Sequence, residues 1–202
     1  MRKWLPILLY IAGIGAAFIY RNDILDWMRN VQNPILSVGM ATVLALFPVV
    51  PYKAVIGLFG YVYGSLAGAV ICWLATNLAA ALMFIGVKYW FQGRARAYLA
   101  SIPALEKFTA TVERRPFASV VLARLLPIIP QTAVNAYAGA AGLPFWSFLL
   151  ASGLGKIPGI ALFAYLGGNG LSNPRNAIIA VLLYVAVIGL AGLSLRSRPN
   201  GA

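Results

Sequence analysis

Pro48-Val-Val-Pro51-Tyr-Lys-Ala54-Val55 returns downstream as Pro127-Ile-Ile-Pro130-Gln-Thr-Ala133-Val134, and the match extends to Gly60 opposite Gly139 at an unchanged offset. A unit that recurs at fixed spacing reads as two copies of one supersecondary element. Prolines remove backbone donors and leave carbonyls unpaired. In hydrocarbon such a break is tolerated only where protein or a water-filled cavity covers it.

Hydrocarbon is the expected solvent. Of 202 residues 61% are hydrophobic and only 10% charged, and the mean hydropathy of +0.84 lies far above that of a soluble domain. Apolar runs cover 4–20, 34–50, 61–91, 117–142, 144–166 and 176–195. The run 4–20 lies behind Arg2 and Lys3 and just crosses a bilayer core of about 30 Å. Gly15, Ala16 and Ala17 would suit a signal-peptide cleavage site, but apolar character continues through Phe18, Ile19 and Tyr20, so an N-terminal helix is expected. Tyr61, Tyr63, Tyr89 and Trp90 flank the long run 61–91 as an aromatic belt flanks a spanning helix. Gly60, Gly64 and Gly68 at its start recur every fourth residue, which predicts a smooth helix face for close contact and permits a homo-oligomer.

Charge places the breaks relative to the membrane. Lys and Arg outnumber Asp and Glu by 16 to 4, for a net charge of +12. Nucleic acid is not the expected partner, because no segment is long and polar enough to form a basic water-facing domain; lipid headgroups and the membrane are. If all six runs span from a cytoplasmic N-terminus, Lys88, Arg94, Arg96, Lys107, Arg114 and Arg115 fall outside, against the positive-inside rule. If both Pro-x-x-Pro runs are re-entrant, four helices span. The basic interval 93–116 is then cytoplasmic, together with Arg2, Lys3, Arg196 and Arg198. The hairpins enter from opposite sides and their broken tips meet near the midplane, as in inverted-repeat transporters. The expected fold is thus an all-α polytopic protein of the cell membrane, with cytoplasmic termini, about four spanning helices and two facing re-entrant hairpins. Within the interval, Tyr98, Ile102, Leu105, Phe108 and Val112 share one helical face, which predicts an interfacial helix or a packed connector.

Three cations fall at membrane depth. Lys53 follows Pro51, Arg124 precedes Pro127, and Lys156 lies about 18 Å along the helix that begins after Pro144. Each costs at least about 2.5–3.5 kcal/mol to insert without a partner. The four carboxylates, Asp23, Asp26, Glu106 and Glu113, all fall in polar stretches. One resolution is snorkelling of the lysines and capping of carbonyls by Arg124; the other is that the substrate is the counter-ion. A guanidinium grips phosphate at two points, and Gln131, Thr132 and Asn135 supply neutral hydrogen bonds beside it.

Enzymatic chemistry is not expected. The chain has no histidine and a single cysteine, Cys72, in an apolar run, so the usual general base and metal ligands are missing and no cofactor is implied. Ser152 and Lys156 are one helical turn apart, a spacing compatible with a Ser–Lys nucleophile pair, but no oxyanion site is legible.

The order Arg124, Pro127, Pro130, Asn135, Gly139, followed by Phe145, Phe148, Gly153, Gly155 and Pro158, resembles the DedA and SNARE-associated Golgi protein superfamily, or VTT domain, over about residues 35 to 170. It looks closest to the branch without membrane carboxylates. The resemblance implies two facing re-entrant hairpins, with turn positions Pro48, Pro51, Pro127, Pro130, Gly60 and Gly139. It also implies a role in lipid scrambling or in returning polyprenyl phosphate carriers across the membrane. A small-solute or anion transporter and a non-transporting assembly protein are the rival expectations.

Overall fold

Both Pro-x-x-Pro segments separate one short helix from the next. The computed structural model describes residues 20–30, 33–47, 51–100, 109, 112–125, 129–170 and 172–196, so Pro48 and Pro127 lie outside the described residues while Pro51 and Pro130 lie within them. In the first half, α1 (Arg21–Asn30) precedes α2 (Pro34–Leu46), α3 (Tyr52–Tyr63) and α4 (Ser65–Trp90). Then come α5 (Gln92–Ala100), α6 (Pro116–Leu125), α7 (Gln131–Ala141), α8 (Phe145–Asn169) and α9 (Pro174–Arg196). Asn33 caps α2, its Oδ1 accepting from the Ile35 amide at 3.0 Å, with Pro34 in the first turn. Pro51 and Pro130 occupy the N-cap positions of α3 and α7.

The protein is an all-α polytopic membrane protein. Among the described residues three stretches are long and apolar enough to cross a bilayer: α4, α8 and Pro174–Ala191 of α9. At 26 and 25 residues, α4 and α8 run about 39 and 37 Å, more than a bilayer core. The helices beside the breaks are 13, 12, 10 and 11 residues long, at most about 20 Å each. None of them crosses alone. Residues 4–19 of the expected helix 4–20 lie outside the described residues, as do most of the side chains proposed for the amphipathic face of the interval.

The repeat is present as structure. Short helix, break, short helix, tight turn and long helix occur in that order from α2 to α4 and again from α6 to α8. Contacts between the halves are reciprocal. A Cβ at Gly60 on α3 would overlap the backbone of Ala164 on α8, and one at Gly139 on α7 would lie 2.7 Å from the Phe84 carbonyl on α4. The repeat offset carries each of these pairs to within a residue of the other, which is the pattern a two-fold relation generates.

The glycines correct two expectations. Gly60 and Gly139 are buried inside helices and are packing positions, not turns. The turns are made by Gly64 and Gly142, at φ +84° and +72°, a region that residues with a Cβ seldom enter. Because Gly64 ends α3, the 61–91 run is two helices, and Gly60 and Gly68 face each other across the turn: a Cβ at Gly68 would lie 2.6 Å from the Gly60 amide nitrogen. The glycine face expected to serve self-association is therefore occupied within the chain.

Two apolar cores result, each combining one half's short helices with both long helices. Ala41, Val55, Ile56, Phe59, Cys72 and Ala75 of the first half close on Ile160 and Ala164 of α8. Val120, Ala138, Ala141, Phe148 and Ala151 of the second half close on Ala80 and Phe84 of α4, with Phe84 stacked on Phe148 at 4.8 Å between centroids.

Candidate functional site

Where α4 and α8 cross, the apolar cores give way to polar side chains. Trp73 donates its indole N–H to the Gly153 carbonyl at 2.8 Å, Asn77 Nδ2 donates to the Trp73 carbonyl at 2.9 Å, and Lys156 Nζ donates to the Thr76 carbonyl at 2.9 Å. Thr76, Ser152 and Lys156 are buried, Lys156 at 6% exposure. The repeat offset takes Lys156 onto Asn77, so the two long helices place a polar group at the same position on each side of the crossing.

Arg124 reaches the crossing from the last turn of α6, where the helix C-terminus favours a cation. Its Nε and Nη2 donate to Ser152 Oγ at 3.0 and 2.9 Å, its Nη1 donates to the Gln131 carbonyl at 3.2 Å, and its Nη2 also donates to Asn135 Oδ1. The guanidinium carbon sits 5.8 Å from the centre of the Phe148 ring. Close approach of α6 to α8 depends on Gly155, where a Cβ would fall 2.7 Å from Arg124 Cβ and 2.9 Å from the Val121 carbonyl. Four of the five guanidinium N–H donors are thus held by neutral acceptors, leaving one on Nη1. A two-point grip on an oxyanion requires release of a neutral partner, which the expected bidentate contact did not include.

Lys53, Arg124, Gln131 and Lys156 line one cavity of about 90 Å³, closed on its other sides by Ile56, Gly155, Gly159, Phe163 and Tyr184. Lys53 and Gln131 are exposed at its mouth, Arg124 is half-buried, and Lys156 is at its floor. Lys53 Nζ lies 5.5 Å from the Phe163 ring centre, a cation–π contact that holds the ammonium without neutralising it. Ion pairs among the described residues are Arg29 with Asp26 and Arg96 with Glu113. Neither involves a cavity cation.

The structure therefore brings together Lys53, Arg124, Lys156 and Gln131, and adds Asn135 through its bond to Arg124. Thr132 is half-buried on α7 and does not line the cavity. Ser152 and Lys156, spaced as a nucleophile pair, have different partners: Ser152 accepts from Arg124, and Lys156 donates to Thr76. Ser152, Thr76, Trp73 and Asn77 as a polar crossing were not anticipated, although the repeat offset from Lys156 leads directly to Asn77. No group of metal-ligating side chains occurs among the described residues.

A family model for the VTT domain matches residues 38–169. The chain belongs to the VTT domain family. Every element from α2 to α8, and with them Lys53, Arg124 and Lys156, lies within or overlaps this VTT domain. The VTT chain is 29% identical to the uncharacterized protein YqeD of Bacillus subtilis over 141 residues, 69% of this chain and 68% of that one. It is 26% identical to the uncharacterized membrane protein YhjE of the same organism over 106 residues, 52% of this chain and 51% of that one. No solved structure matches.

Proposed function

We propose that this protein moves anionic lipid headgroups, of phospholipids or polyprenyl phosphates, between the leaflets of the cell membrane. One observation carries the proposal: three cations converge on one cavity and no described carboxylate is paired with any of them. Desolvated charge of one sign is costly at membrane depth, and an arriving phosphate supplies the missing charge. An apolar cavity of about 220 Å³, lined by Val112, Val120, Val134 and Leu143 among others, shares Ala123 and Ile129 with the polar one. Headgroup and chain can thus be accommodated side by side.

In this proposal the α2–α3 and α6–α7 pairs are re-entrant hairpins entering from opposite sides, and both termini are cytoplasmic. Support comes from the short helices beside each break and the reciprocal contacts between the halves. A carrier or scramblase of this kind forms no covalent intermediate and is not an enzyme.

The test is movement of fluorescent phosphatidylglycerol between leaflets of proteoliposomes. Arg124→Gln should slow it at least about tenfold at equal protein density, the loss of a charged hydrogen-bonding contact. Unchanged movement would remove the headgroup role. The size of the cavity favours a second reading, a free water-soluble anion as cargo. In that case inorganic phosphate would compete with the lipid and cross by itself.

A further inference from the structure

α9 lies beyond residue 169, where the VTT match ends, and no residue of its 18-residue apolar window is fully buried within the chain. Ile178, Leu182, Leu183 and Leu190 are exposed as a lipid-facing helix requires. Tyr184 departs from this pattern. It is half-buried, it lines the cationic cavity, and its hydroxyl rests over Gly159, where a Cβ would lie 3.6 Å from the phenol oxygen.

Ten residues into α9, Tyr184 is about 15 Å from the helix start. A phenol at that depth ordinarily finds a hydrogen-bond partner in the protein, in cavity water or in a ligand. Among the described residues Tyr184 has none. The cavity it lines presents mainly donors, Lys53, Lys156 and the free N–H of Arg124, with Gln131 as the one side chain that also carries an acceptor. An oxyanion in the cavity would bring an acceptor for the phenol and the counter-charge that no described carboxylate gives the three cations.

We propose that Tyr184 is a ligand-binding residue, its phenolic O–H donating to the phosphate-type oxyanion held by Lys53, Arg124 and Lys156, so that α9 completes a site the VTT domain leaves open on one side. This rests on the function proposed above and adds a neutral donor from outside the matched region. A phosphate monoester of a lipid and free phosphate present the same oxygens, so both are named as ligands.

Calorimetric titration of the purified full-length chain with dihexanoyl phosphatidic acid and with inorganic phosphate tests it, using wild type, Tyr184→Phe and Arg124→Gln. Tyr184→Phe is expected to bind about tenfold more weakly with an unchanged melting temperature in the absence of ligand, since the hydroxyl it removes has no partner there. Binding of phosphatidate alone identifies a lipid ligand, and binding of phosphate alone a free anion; either, with the tenfold loss, supports Tyr184. Unchanged affinity in Tyr184→Phe while Arg124→Gln abolishes binding overturns the role of Tyr184 and leaves the cavity as the site. A weaker affinity accompanied by a lower ligand-free melting temperature reduces Tyr184 to packing and also overturns it. Unchanged affinity in Arg124→Gln removes the cavity as the site and Tyr184 with it.

Discussion

At the scale of single residues, the glycines separate what close packing requires from what backbone conformation requires. Gly60→Ala places a methyl group on the Ala164 backbone, which cannot rotate away. The expected cost is about 1–3 kcal/mol, seen as a lower melting temperature in detergent. Gly64→Ala meets nothing within 4 Å but sits at φ +84°, and the strain alone is expected to cost about 1–3 kcal/mol. Gly39 lies inside α2 with nothing within 4 Å, so Gly39→Ala should be neutral or stabilising by up to about 1 kcal/mol. Equal effects at all three would mean that neither cause operates. Asn135→Ala should leave the fold standing and free one guanidinium N–H, so that an oxyanion no longer has to displace that neutral partner and phosphate binds roughly tenfold more tightly in the calorimetric titration. The cations were legible in the sequence because an unpaired Lys or Arg in an apolar run stands out. Ser152 and Thr76 were not, since a lone hydroxyl in a spanning helix commonly bonds its own backbone and reveals a partner only once two helices cross.

At the scale of elements, the repeat of prolines located both helix breaks, because a missing N–H is a property of the residue itself. The end of α3 was hidden. Tyr61 to Phe91 is almost uninterrupted apolar sequence, and no hydrophobic periodicity changes at Gly64; only the positive φ marks the turn. α1 shows how a polar segment is tied to this frame. Tyr63 donates its hydroxyl to the Met28 carbonyl at 2.9 Å and accepts from Ser37 Oγ at 3.2 Å, joining α1, α2 and α3 at one point. Tyr63→Phe removes both bonds and is expected to cost about 1–2 kcal/mol. Amide exchange across residues 21–30 should rise more than across α4. By contrast the exposed pair of Arg96 with Glu113, at 3.0 Å, should contribute under about 1 kcal/mol, so Glu113→Gln will move the melting temperature little.

At the scale of the molecule, the proposed orientation rests on charge. Arg94, Arg114 and Arg115 are exposed near the joint between the halves, and the proposed topology puts them in the cytoplasm. Cys72 is fully buried and will stay silent toward a membrane-impermeant maleimide. Arg114→Cys should therefore label in inside-out vesicles and not in right-side-out ones. The opposite pattern would exclude opposed re-entrant hairpins.

The reciprocal seating of α3 on α8 and of α7 on α4 also settles what each half can do without the other. Each lays its glycine-bearing short helix on the other's long helix, so neither has a complete interior of its own. Two polypeptides, one stopping and the other starting between residues 101 and 108, should co-purify when made together, and each made alone should be degraded.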